Sequence, residues 1–121
     1  MRIFSVFFAF LLVLSSTACA QERVASPRGE SSTQIDGNWI VVDYGRPILR
    51  GRTQVFGEGE EYGVEITSGA PVWRAGANQS TRFMIDADLE IGGSQISSGE
   101  YTLFVELGED EWTLILSNHV T

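Results

Sequence analysis

The chain has 121 residues, with 16 acidic side chains against eight basic ones, all arginine, for a formal net charge of −8. A single cysteine and a single histidine exclude a disulfide framework and a thiolate- or imidazole-based zinc site, each of which needs several such ligands. The acidic excess argues against a nucleic-acid partner, because the chain repels phosphate backbones on average.

The N-terminus reads as an address. Met1-Arg2 precedes an apolar run from Ile3 to Leu14, broken only by Ser5, and then the small residues Ser15 to Ala20. Positive, hydrophobic and small-residue regions in that order are those of a secretory signal peptide, so residues 1–20 are expected to be removed or processed on export. The run is too short for the roughly 20 apolar residues that span a bilayer as a helix. Two processing sites compete. Ala18-Cys19-Ala20 fits small-x-small cleavage before Gln21, whereas Ser16-Thr17-Ala18-Cys19 resembles a bacterial lipoprotein box that would make Cys19 the lipidated first residue. In either case Cys19 is not a catalytic nucleophile, and a lipid at Cys19 would be the only membrane attachment. Without residues 1–20 the chain carries seven arginines against 16 acids, a net charge of −9.

Residues 21–37 are polar and rich in Ser, Gly and Thr, which predicts a flexible linker. From Asn38 onward short apolar runs alternate with glycine turns. Trp39 to Tyr44 is aromatic and β-branched and stops at Gly45 and Pro47, the pattern of a strand. Arg82 to Ile91 alternates, with Phe83, Ile85, Ala87, Leu89 and Ile91 on one face, and Gly92-Gly93 predicts a two-residue hairpin returning through Ser94 to Ile96. Tyr101, Leu103, Val105 and Leu107 alternate with polar or opposite-facing neighbours. Gly108 to Glu111 forms a second hairpin loop, and Trp112, Leu114 and Leu116 alternate again. No segment after Gly37 keeps a helical period. Residues 38–121 are therefore expected to form an all-β domain, an antiparallel β-sandwich of jelly-roll or immunoglobulin-like type. Leu114 to Leu116 makes a good core strand close to the last residue, which predicts an open sheet edge able to accept a strand from a partner chain.

Two segments carry a specific likeness. Tyr44-Gly45-Arg46-Pro47 through Gly51-Arg52 matches a pattern written Y-x-R-P-x-x-x-G-R, and Trp73-Arg74-Ala75-Gly76-Ala77-Asn78 matches W-R-x-G-A-N. Gly99 to Phe104 and Glu111 to Leu116 follow as G-x-Y-x-L-F and W-T-x-I-x segments. With these four motifs in this order, the chain resembles the bacterial domain-of-unknown-function family 2911 from Trp39 to about Asn118. The resemblance implies an exported all-β protein of the bacterial envelope, periplasmic or outer-membrane-associated, with no assigned activity and no cofactor. Family members continue past the W-T strand with a tryptophan-glycine segment and further strands, so the chain reads as a shortened member.

Four arginines stand out. Arg46, Arg50 and Arg52 share one Gly/Pro-bounded loop, and Arg74 adjoins Trp73 before Gly76-Ala77-Asn78. Guanidinium groups bind carboxylate or phosphate through two donors, and an Asn amide adds both a donor and an acceptor. Arg46, Arg52, Trp73, Arg74 and Asn78 are accordingly the candidate binding residues for a small anionic or carbohydrate ligand such as a sugar acid. The competing expectation is structural: arginines paired with Asp43, Asp86 or Glu65, and Asn78 in a left-handed turn. Trp39 and Trp112, at apolar positions of alternating strands, are expected in the core.

Asp86-x-Asp88-x-Glu90 places three carboxylates on one strand face, and Glu58, Glu60 and Glu61 crowd a glycine loop. Neither follows a calcium-loop pattern, and a solvated face explains both, so no metal site is assigned. Nothing surrounds a carboxylate with apolar residues as a glycosidase acid requires. His119, two residues from the end, is a poor anchor for a Ser-His-Asp triad. The leading expectation is a non-enzymatic binding or interaction module. A carboxylate-dependent periplasmic hydrolase and a structural module that accepts a strand are the alternatives.

Overall fold

The computed structural model describes residues 25–120, so the expected signal peptide and Cys19 lie outside the described residues. β1 (Arg28–Ile35) and β2 (Asn38–Gly45) form a hairpin around Asp36-Gly37. Those two residues have φ of 50° and 80°, the pair of positive angles that a two-residue turn matched to strand twist requires. The excursion between β2 and β3 (Thr81–Ile85) holds only a 3-10 turn, Gly59–Glu61, and the four-residue helix α1 (Val64–Thr67). β4 (Leu89–Ile91) and β5 (Ser94–Ile96) form a small hairpin about Gly92-Gly93, and β6 (Gly99–Leu107) and β7 (Trp112–Ser117) complete the described strands.

The larger sheet is antiparallel throughout, in the order β1-β2-β3-β6-β7, and β4-β5 makes a separate two-stranded sheet. The fold is all-β and sandwich-like, as the alternation predicts. Partners in register share a face. Ile40 and Val42 therefore lie with Ile85 and Phe83, these with Gly99 and Tyr101, and Leu103, Val105 and Leu107 with Leu116, Leu114 and Trp112. That face carries the core. Phe83, Ile85 and Val105 are the buried apolar residues among those described.

The structure departs from expectation at three places. Residues 28–35, expected within a flexible linker, are a strand paired with β2 along its whole length. Seven of its eight residues are exposed. Main-chain bonds hold this edge strand, and its side chains bury almost nothing, so its polar composition carries no apolar alternation. Second, the run from Arg82 to Ile91 is two strands. It breaks where Asp86 N–H donates to Trp39 O at 3.0 Å and the Asp86 carboxylate accepts the Trp39 N–H at 3.3 Å. The Asp88 carboxylate accepts the Ser98 N–H at 2.8 Å. Third, Trp39 and Trp112, expected in the core, are each 47% exposed. The second sheet has two strands of three residues, too small a layer to cover the ends of a five-stranded sheet.

Candidate functional site

The excursion from Arg46 to Ser80 returns to the large sheet at Trp73. Trp73 N–H donates to Val105 O and Val105 N–H to Trp73 O, both at 2.8 Å, so Trp73 extends the sheet beyond the end of β3. Its indole meets Phe56 edge-on at 5.7 Å and Trp112 at 6.0 Å. Phe56 also lies 5.1 Å from Trp112 and 6.2 Å from Tyr62. Offset and edge-to-face contacts of this kind contribute about 0.5–1.5 kcal/mol each beyond area burial. This four-ring cluster pins the irregular excursion to β7. Phe56 and Tyr62 lie in a stretch with no periodicity, and only their aromaticity marks them in the sequence.

Immediately after Trp73 the chain forms a tight loop, Arg74 to Ser80. Ala75 and Asn78 adopt left-handed φ of 53° and 64°, a conformation that suits asparagine better than alanine. The loop is held against β2: Ala77 N–H donates to Gly45 O at 3.2 Å, and a Cβ at Gly45 would run into the Ala77 backbone. Arg28 of β1 fastens the loop from the other side. Its guanidinium donates to Gln79 O at 3.0 Å, Ser80 O at 2.8 Å, Asp43 O at 3.0 Å and the Asp43 carboxylate at 2.8 Å. Arg28 falls in the segment expected to be a linker, and no sequence signal marks it.

This loop rims a cavity of about 320 Å³, with Trp73, Arg74 and Asn78 on its wall together with Thr67, Ser68 and Ala77. Arg74 and Asn78 also border an open groove formed with Gln79, Ser80 and Arg82. Arg74 Nη1 donates to Asn78 O at 2.8 Å and has no carboxylate partner among the described residues. Three of the five candidate binding residues thus meet at one cavity. The other two do not line it. Arg46 runs across Gly29 of β1, with Nη2 3.5 Å from Arg28 O. Arg52 folds back on its own loop, donating to Leu49 O at 3.0 Å and Ile48 O at 3.3 Å.

The expected arginine pairings fall on other residues. Asp43 pairs with Arg28, and the second ion pair among the described residues joins Arg82 to Glu100 at 2.6 Å. Asn78 does take the left-handed turn conformation. Asp86 and Asp88 accept backbone N–H groups, and Glu90 accepts from Gln95 Nε2 at 3.0 Å, so each carboxylate has a local structural partner.

The model of a family described as protein of unknown function (DUF2911) matches residues 26–121. The chain belongs to this family. No curated protein and no solved structure matches it. In this DUF2911 chain the two most distinctive segments, Tyr44 to Arg52 and Trp73 to Asn78, touch each other where Gly45 packs on Gly76 and Ala77. Gly45 and Gly76 are explained by that approach, because main chain fills the space a Cβ would need on either side, whereas Gly51 stands in open space with φ of 78°.

Proposed function

We propose that this DUF2911 chain is a non-enzymatic binding module whose loop Arg74 to Ser80 takes a small anionic ligand of the sugar-acid class. The observation that carries the reading is the Arg74 guanidinium. It lies without a carboxylate partner among the described residues, between Trp73 and Asn78, on the wall of a 320 Å³ cavity. Such a volume is at the small end of the range for ligand sites. A guanidinium fork offers two parallel donors to a carboxylate, Asn78 and Ser68 suit hydroxyl groups, and the Trp73 edge gives an apolar wall. Two non-glycine residues in left-handed conformation support the same place, since strain of about 1–3 kcal/mol per residue concentrates at binding loops.

The proposal includes export to the periplasm or outer membrane, on the strength of Met1-Arg2, the Ile3 to Leu14 run and the small residues that follow. Cys19 is the lipidation candidate, and mass spectrometry finding an unmodified Gln21 terminus would exclude the lipid.

Calorimetric titration with glucuronate, galacturonate and inorganic phosphate tests the binding reading. A saturable heat is expected with at least one uronate, lost in Arg74→Ala and weakened in Arg74→Lys, which keeps charge without the fork. Arg52→Ala is expected to leave it unchanged. Binding that survives Arg74→Ala, or no heat with any of the three in a folded sample, overturns the proposal.

A further inference from the structure

Arg74 and Asn78, joined by the 2.8 Å bond from Nη1 to the Asn78 carbonyl, line both the 320 Å³ cavity and the open groove of about 490 Å³. The two spaces therefore meet at this guanidinium. Gln79, Ser80 and Arg82 complete the groove. Arg28 holds the main-chain carbonyls of Gln79 and Ser80, which fixes the backbone there before a ligand arrives and lowers the ordering cost of binding. The Gln79 amide and the Ser80 hydroxyl have no hydrogen-bond partner among the described residues. Between them they supply the donors and acceptors that hydroxyl groups require. Arg82 brings no net charge to the groove, because Glu100 pairs with it at 2.6 Å. Arg74 is thus the one cation lining these spaces without a carboxylate partner among the described residues. Around it the chain carries a net charge of −8, a field that repels polyanions.

We infer, resting on the uronate reading above, that the ligand is a uronate joined to a neutral sugar. Its carboxylate meets Arg74, the uronate ring takes the cavity, and the neutral ring lies in the groove along Gln79 and Ser80. Size and charge select this class together. The cavity alone stands at the lower limit of the roughly 300–1,000 Å³ of ligand sites, and cavity with groove falls well inside that range. A free uronate uses only the first space. A polyuronate fills both, but it carries a second carboxylate to Gln79 and Ser80, where Arg82 is already neutralised by Glu100 and the surrounding field is negative. A neutral sugar needs only hydroxyl partners, and those are what the groove supplies.

The test is calorimetric titration of the full chain with glucuronate and galacturonate, the disaccharide of each with a neutral hexose, and the disaccharide of each with a second uronate. For the uronate that binds, the mixed disaccharide is expected to bind about tenfold more tightly, the worth of one or two added neutral hydrogen bonds. The diuronate is expected to bind no more tightly than the single uronate. In the double variant Gln79→Ala/Ser80→Ala the ratio of mixed disaccharide to uronate affinity is expected to fall to about one. The Arg28 bonds to residues 79 and 80 use main-chain carbonyls, so the variant keeps them. A uronate that binds with no gain from the neutral sugar overturns this inference and leaves the uronate site standing. So does a diuronate that binds as tightly as the mixed disaccharide, or a ratio unchanged in the double variant. No heat with any of these sugars in a folded sample overturns the uronate site and this inference with it.

Discussion

The indole Nε1–H of Trp112 donates to the phenol oxygen of Tyr62 at 2.9 Å, across 50 residues of sequence. With Phe56 between them, this bond ties an excursion almost without regular structure to the last described strand. Tyr62→Phe removes the bond and keeps the ring, and is expected to cost about 1 kcal/mol. Trp112→Ala removes the partner of three rings. Because Trp112 is half exposed, the expected loss is about 2 kcal/mol, below the ~3–5 kcal/mol of a fully buried aromatic. Urea denaturation followed by far-UV circular dichroism checks both, and equal losses would show that the hydrogen bond, not the ring contacts, holds the excursion.

Arg28 joins three parts of the molecule through four hydrogen bonds, three of them to main-chain carbonyls. Its ion pair with Asp43 is about one-third exposed on each side and adds well under 1 kcal/mol by itself. The carbonyl bonds count for more, since charged donors contribute roughly 1.5–3 kcal/mol where water is partly excluded. Arg28→Ala is expected to destabilise the chain by about 2 kcal/mol and to raise amide exchange through Gln79 to Arg82. Arg28→Lys is expected to recover little, because one ammonium cannot reach Asp43, Gln79 and Ser80 together.

Gly45 is the point where the two family-typical segments meet. Gly45→Ala sets a methyl group against the Ala77 main chain, which no side-chain rotation relieves. The expected cost is about 3 kcal/mol or more, with the Arg74 to Ser80 loop displaced from β2. The heat of uronate binding should disappear in this variant while the β6-β7 hairpin, probed by exchange at Phe104 and Ile115, stays protected. Normal stability for Gly45→Ala would mean that the loop packs farther from β2 than this geometry requires.

How much of this was legible in the sequence depends on which residues bury something. β2, β3, β6 and β7 follow directly from alternation, because one face of each meets the core. β1 does not, because an edge strand whose side chains are exposed has no reason to alternate. Its one local signal is Asp36-Gly37, the dipeptide suited to a two-residue hairpin turn. Trp39 and Trp112 occupy apolar positions of the pattern, yet half of each is exposed, since alternation reports which face a residue takes and not whether anything covers that face. At the candidate site Trp73, Arg74 and Asn78 were legible as one short segment. Arg46 and Arg52 were grouped with them by residue type alone, and the fold sends both to main-chain carbonyls. Arg28 was invisible because its partners are carbonyl groups distant in sequence, which composition cannot reveal.

Thr81 and Thr102 give a paired test of the interior. Each is 1% exposed, and they occupy adjacent strands, but their hydroxyls differ. Thr102 Oγ1 donates to His119 O at 2.9 Å, fastening the segment after β7 to β6. Thr81 Oγ1 has no hydrogen-bond partner among the described residues, although it lies where Gly76 packs against Gly45. Valine reproduces the shape of threonine at a strand position without the hydroxyl. Thr102→Val is therefore expected to cost about 1–2 kcal/mol, because it strands the His119 carbonyl. Thr81→Val removes a polar atom that gains nothing in return for its desolvation and is expected to be neutral or stabilising by up to about 1 kcal/mol. Both shifts are measurable in one urea series. A substantial loss at Thr81→Val would mean that its hydroxyl is bonded in solution.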